Sequence, residues 1–273
     1  MNRRDCLRNL SGLFVGLGTF ACGCRSTPMT GRSQLMLIPE KQEVTMGQDA
    51  YQTVLQQERI STNPRLQEMV QRVGMRIAAV SGRPDYQWEF KLLDSETKNA
   101  FCLPGGKVAV YEGILPICQN EAGLAVVMSH EVAHALARHG GERMSQQAGL
   151  QTVSSVLGYA MKGQSDLSRS LVLKAYGAGT ELGVVLPHSR QHELEADRIG
   201  IMLMASAGYD PQEAPLFWSR VGTMDSGSKP AEWLSTHPSD ARRASELEGL
   251  LPQARTAYDA SAAKLGQGER IIA

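Results

Sequence analysis

The chain has 273 residues, 42% of them apolar and 21% charged, with 28 basic against 28 acidic side chains. That balance excludes a disordered polyelectrolyte and the basic footprint of a nucleic-acid binder, and the length suits one large domain or two small ones. Five cysteines (Cys6, Cys22, Cys24, Cys102, Cys118) are too few and too scattered for a disulfide scaffold or a four-cysteine zinc knot.

Arg3, Arg4 and Arg8 precede an apolar run from Leu10 to Phe20. The run suits a signal sequence and is too short to cross a bilayer, and no stretch of 18 or more apolar residues follows it. The arginine pair resembles a twin-arginine export signal. Ala21-Cys22-Gly23-Cys24 resembles a lipobox, and Gly23 and Ala21 favour Cys24 over Cys22 as the acylated residue. Residues 1–23 are therefore expected as a signal peptide. Their removal leaves 25 basic and 27 acidic residues, and a net charge near −2 gives no pull toward anionic lipid. Membrane attachment then rests on the lipid alone. Residues 24–35, with Pro28 and Gly31, read as a tether.

Residues 36–252 carry the regular pattern. Glu40 to Glu58 has Val44, Ala50 and Val54 at helical spacing. Asn63-Pro64 offers a cap and a first-turn proline for a helix to about Val80, with Leu66, Met69, Val70, Val73 and Ile77 on one stripe. Trp88 to Leu93 alternates as a strand, Pro104-Gly105-Gly106 is a turn, and Lys107 to Tyr111 is a second strand. Asn120 to Arg138 is a strongly apolar helix, expected to stop at Gly140-Gly141. Further helices are expected over 143–161, 167–186, 188–207, 211–221 and 238–251. Residues 253–273 read as a polar tail beyond Pro252. The Gly- and Ser-rich stretch 149–183 is a candidate lid. The expected fold is α+β, mostly helical with a small sheet, without internal repeats.

His130-Glu131-Val132-Ala133-His134 lies within the apolar helix. Positions i and i+4 share a helix face, so both imidazoles can hold one zinc ion, with Glu131 placed as general base toward a water. A catalytic zinc takes three protein ligands and keeps one position open. His139 does not supply the third through the metzincin pattern, because Ala137 and Gly140 stand where that pattern needs Gly and His. Glu193 and Asp197 are i and i+4 on a later helix. A carboxylate at 193 can ligate while Asp197 accepts the outer N–H of a ligating histidine. Glu195 is expected on the solvent side. His188 and His192 are rival ligands.

HExxH on one helix and Glu193-Leu194-Glu195-Ala196-Asp197 on a later one, preceded by Ser189-Arg190, resemble the HtpX-like and Oma-type zinc metalloproteases, gluzincins related to the prenyl-protein proteases. Asn99-Ala100-Phe101 before Pro104-Gly105-Gly106 is similar to the segment ahead of that family's active helix. Thr236-His237-Pro238 with Arg243 is similar to its late motif. The resemblance covers roughly Met36 to Leu250. It departs at Cys102, where an apolar residue or Ala is expected, and in lacking the spanning helices of the integral-membrane members.

The resemblance implies a zinc metalloendopeptidase with one Zn2+ per chain on His130, His134 and Glu193, and Glu131 as base. It offers His237 and Arg243 as donors to the developing oxyanion. The strand Val108, Ala109, Val110 and Tyr111 is expected to present an open edge to an extended peptide, which makes unfolded polypeptides the expected substrates. The leader makes the expected setting the periplasm, on a lipid anchor at Cys24, and the expected work is envelope quality control. The competing reading is a zinc-bound outer-membrane chaperone or assembly factor with latent proteolysis. Cys102 and Cys118 read either as a disulfide or as two buried small hydrophobes.

Overall fold

Two short strands, β1 (Cys24–Ser26) and β2 (Ser33–Leu35), open the computed structural model as an antiparallel hairpin. The structure describes residues 24–27, 29–160, 190–224, 237 and 241–271. The expected leader, the helix over 167–186, most of the candidate lid, His188 and Thr236 lie outside the described residues.

Helix α1 (Glu40–Gln57) and helix α2 (Pro64–Val80) follow. Asn63 caps α2, its side chain accepting from the Leu66 N–H at 3.2 Å, and Pro64 sits where a missing N–H costs nothing. The stripe Met69, Val70, Val73 and Ile77 is buried. Gly74 lies on the same face, where a Cβ would overlap the ring of Phe90.

Strands β3 (Glu89–Leu93), β4 (Ala100–Leu103) and β5 (Lys107–Tyr111) form one sheet in the order β3-β5-β4. β5 runs parallel to β3 and antiparallel to β4. This corrects the expected open edge at Val108, Ala109, Val110 and Tyr111: that strand is central and every residue of it is buried. Val108 and Val110 pack into the main core, Ala109 and Tyr111 against Tyr51 and Leu93 on the other face. Burial on both faces is why the run does not alternate. The open edge belongs to β4. Tyr111 N–H donates to Asn99 C=O at 3.1 Å, so antiparallel alternation turns the backbone groups of Ala100 and Cys102 away from β5.

A 3-10 turn (Glu112–Ile114) and the short helix α3 (Leu115–Cys118) lead into α4 (Glu121–Leu136), the central helix, buried along its whole length. A helix apolar on all sides needs neighbours on all sides. Here they are α2, β4, α6 (Arg190–Ser206) and α7 (Glu213–Met224). Its free first-turn N–H groups are met from two directions. Asn120 accepts from Gly123 N–H at 2.8 Å. Glu121 and Ala122 donate to the carbonyls of Glu269 and Gln267 at 2.9 and 3.0 Å. Gly123 has no room for a side chain, because a Cβ would overlap the carbonyl oxygen of Cys118. Gly123→Ala is expected to cost about 1–3 kcal/mol, read as a lowered urea midpoint at constant m-value. An unchanged midpoint would mean that this turn is loose.

Three helix boundaries differ from expectation. α4 ends before Arg138, which takes φ +59°, and α5 (His139–Ala160) starts directly after it. Gly140 and Gly141 are therefore inside a helix; Gly141 admits the carboxylate of Glu43, which a Cβ would strike. Helix α8 (Ala241–Ala260) passes through Pro252 instead of stopping there, anchored by buried Leu247 and Ala254 on either side of the proline. The residues after it form no loose tail but cap α4, as described, and bury Ile271. The architecture is α+β, mostly helical. Among the described residues no helix is long and apolar enough to cross a membrane.

Candidate metal centre

His130 and His134 project from one face of α4 toward α6, one turn apart. Gly200 lets the helices approach closely: a Cβ there would lie 3.2 Å from the His130 backbone nitrogen. The two Nε2 atoms are 3.0 Å apart. Glu193 of α6 puts Oε2 3.3 Å from His130 Nε2 and Oε1 3.4 Å from His134 Nε2. His237 brings Nδ1 to 3.1 Å from Glu193 Oε1 and 3.3 Å from His130 Nε2. One donor atom from each of His130, His134, Glu193 and His237 lies within 4.8 Å of the others, and all four residues are buried. The fit to zinc rests on chemistry: imidazole nitrogens and a carboxylate crowd one point, and both α4 imidazoles have their outer nitrogens engaged elsewhere.

That outer engagement is specific. His130 Nδ1 stands 3.0 Å from Asp197 Oδ1. Arg243 holds Asp197 with Nε at 2.6 Å and Nη2 at 2.7 Å, and reaches Glu193 Oε2 with Nη1 at 2.8 Å. Its guanidinium lies over Trp218, 3.4 Å from the ring centroid. Arg243 was expected as an oxyanion donor; its guanidinium is instead committed to the two carboxylates, and it does not line the cavity beside Glu131. It thus bridges the two acids beside the donor group.

The charges follow from these contacts. Burial disfavours ionised Glu193, yet hydrogen bonds from His130, His134 and His237 hold its carboxyl far below the usual range. Burial also disfavours ionised Asp197, but Arg243 and His130 together hold its carboxyl below the usual range. Burial pulls His130 down, but Asp197 and Glu193 push it up to about 9 without a metal. Zinc must displace that proton, so zinc affinity is expected to rise about tenfold per pH unit below 9. Competition titrations at pH 6, 7 and 8 check this; a flat series would put no proton on the donor set.

Glu131 is buried beside the donors and lines a cavity of about 240 Å³. Asn99 to Pro104 form one wall of it, with His134, Arg138 and His237 on others. His237 Nε2 is 3.4 Å from Glu131 Oε1. The edge strand beside the base is thus β4, a strand too short and irregular in sequence to be read in advance. Cys102 of β4 and Cys118 are free thiols, and burial raises the pKa of both.

One rival donor, His192, falls elsewhere, and Glu195 is not where it is expected. His192 Nε2 meets Glu142 Oε2 at 3.0 Å and its ring stacks on His139 at 4.3 Å between centroids, away from the donor group. Glu195 was expected on the solvent side. It points off the metal-facing side of α6, but that flank is covered by α5 and the N-terminal hairpin, and Glu195 is buried against His139. Nothing within α6 itself signals that cover.

Comparison with known proteins shows the family. The model of peptidase family M48 matches residues 64–251. The mitochondrial metalloendopeptidase OMA1 of Schizosaccharomyces pombe is 37% identical over 238 residues, 86% of this chain and 68% of that protein. The OMA1 protein of Saccharomyces cerevisiae is 32% identical over 253 residues, 86% of this chain and 71% of its own. The beta-barrel assembly-enhancing protease of Escherichia coli is 30% identical over 261 residues, 90% of this chain but 53% of that protein, about half its length.

Proposed function

The chain belongs to peptidase family M48 and is a zinc-dependent metalloendopeptidase; we propose that it cleaves unfolded or damaged polypeptides of the cell envelope, with one zinc ion held by His130, His134 and Glu193. The observation that carries this reading is the shared cavity: the open edge of β4 and the carboxylate of Glu131 line the same space beside the donor set. Zinc supplies Lewis acidity, which polarises a peptide carbonyl and makes a water easier to deprotonate. Glu131 accepts that water's proton at a carboxylate oxygen and hands it to the departing amine nitrogen. His237, on the cavity wall, donates from its ring to the carbonyl oxygen as that oxygen gains charge. The outward backbone groups of Cys102 and Ala100 pair with substrate held as an added strand. Main-chain pairing demands an extended substrate and reads few side chains, which favours unfolded chains of broad sequence. The test sets reduced casein beside a stably folded protein of similar size: cleavage of casein alone supports the reading, and equal cleavage of both contradicts it.

The envelope setting rests on the leader and on Cys24 as lipid site. Cys24→Ser is expected to move the protein from the membrane pellet to the soluble periplasmic fraction. Continued pelleting, with release on changing Cys22 instead, would place the lipid on Cys22.

One observation favours the second reading, a zinc-bound assembly factor whose proteolysis is latent. His237 is near enough to the other donors to act as a fourth, and a fourth protein ligand fills the position that catalysis needs open. His237→Ala separates the roles. A loss of turnover at unchanged zinc affinity supports the oxyanion role; a gain of turnover supports latency.

A further inference from the structure

We propose that His139 and Glu195 form a positioning relay for the metal ligand His134, and that the N-terminal hairpin closes this relay. The proposal rests on the reading above that His134 holds the metal.

The left-handed turn at Arg138 starts α5 at His139 and sets that ring beside His134. Their Nδ1 atoms are 2.8 Å apart, with the rings edge-to-face at 73°. His134 Nε2 faces His130 and Glu193, so Nδ1 is the nitrogen turned away from the donors. A neutral imidazole that ligates through Nε2 carries its proton on Nδ1. That N–H donates to His139 Nδ1. His139 must then carry its own proton on Nε2, which lies 3.0 Å from Glu195 Oε2 and donates to it. Each N–H has one acceptor, and the end of the chain is a carboxylate.

Glu195 is in turn fixed from the hairpin. It accepts from Thr27 Oγ1 at 2.9 Å, from Thr30 Oγ1, and from Arg32 Nε at 2.6 Å. Arg32 also grips Glu142 of α5 with Nη1 at 3.0 Å and Nη2 at 2.6 Å. Glu142 meets the Nε2 of His192, whose ring stacks on His139. The imidazole of His139, itself fully buried, is held at both nitrogens and on one face. The two α4 ligands are thus supported alike: His130 by Asp197 directly, His134 by Glu195 through one intervening imidazole. The threonines and the arginine lie three to eight residues after Cys24, so the segment leaving the expected lipid site is built into the support of the metal centre.

A merely structural role for this network would affect folding and leave the metal untouched. The test therefore reads zinc affinity by competition with a chromogenic chelator, and the visible bands of the cobalt-substituted protein, for the wild type, His134→Ala, His139→Phe and Glu195→Gln. His139→Phe keeps a ring against His192 and removes only the nitrogens. It is expected to lower zinc affinity about 10–100-fold and to shift the cobalt bands. Glu195→Gln keeps an acceptor oxygen but drops its charge, so it should shift both in the same direction by less. If either variant shows native circular dichroism, wild-type cobalt bands and zinc affinity within about twofold of wild type, the relay is overturned. If His139→Phe does not fold, Glu195→Gln decides by the same criteria. If His134→Ala binds zinc as the wild type does, the metal assignment fails first and the relay with it.

Discussion

Glu131→Gln is expected to bind zinc as the wild type does and to lose about 10²–10⁴-fold in peptide hydrolysis. Glu131 lines the cavity beside β4 but is not one of the converging donors, so the amide leaves the metal set intact. The substitution keeps side-chain volume in a buried position and removes only the capacity to take a proton. Metal content and hydrolysis are measured on the same preparation. A variant that keeps most of its turnover would move the base elsewhere, and His237, 3.4 Å away on the same cavity, would be the group to examine.

The second large effect separates the two acids of α6. Glu193→Ala removes a donor and leaves Arg243 Nη1 facing an empty site, so both zinc binding and stability are expected to fall. Asp197→Ala keeps the three donors but frees the His130 imidazole and unpairs two nitrogens of Arg243. Loss of such an outer partner typically costs about 10–100-fold in metal affinity or activity, so this variant is expected to be impaired at low zinc and to recover partly at saturating zinc. Chelator competition and hydrolysis at two zinc concentrations distinguish them. Equal zinc affinity in Glu193→Ala and wild type would remove Glu193 from the donor set. Because Glu195 supports the other flank of α6, Glu195→Ala is not a neutral control, as a solvent-facing glutamate would be.

What was legible in the sequence was the part carried by local periodicity. His130 and His134 share a face because helices repeat every 3.6 residues, and Glu193 and Asp197 do so for the same reason. The strongly apolar run from Asn120 to Arg138 marked α4 as a helix. What was not legible depended on partners distant in the chain. The unbroken apolar run of Val108 to Tyr111 is that of a strand buried on both faces, but it does not say which strands flank it. β4 is only four residues long, too short for an alternating pattern to stand out, so the true edge strand was hidden. Arg243 carries no mark showing that its fork is filled by Glu193 and Asp197. Pro252 reads as a stop, yet tertiary burial of Leu247 and Ala254 carries α8 through it. Glu195 is buried by residues more than 160 positions away, in a hairpin whose composition reads as a tether.

The central claim is that one zinc ion at the His130–His134–Glu193 site serves the hydrolysis that Glu131 carries as base. Metal-free protein titrated with zinc, with casein cleavage followed at each addition, tests it most directly. Cleavage is expected to start from background, rise in proportion to zinc, break at one equivalent per chain, and stay at background throughout in Glu131→Gln. Full cleavage by the chelated protein, or a rise in Glu131→Gln that parallels the wild type, would contradict it.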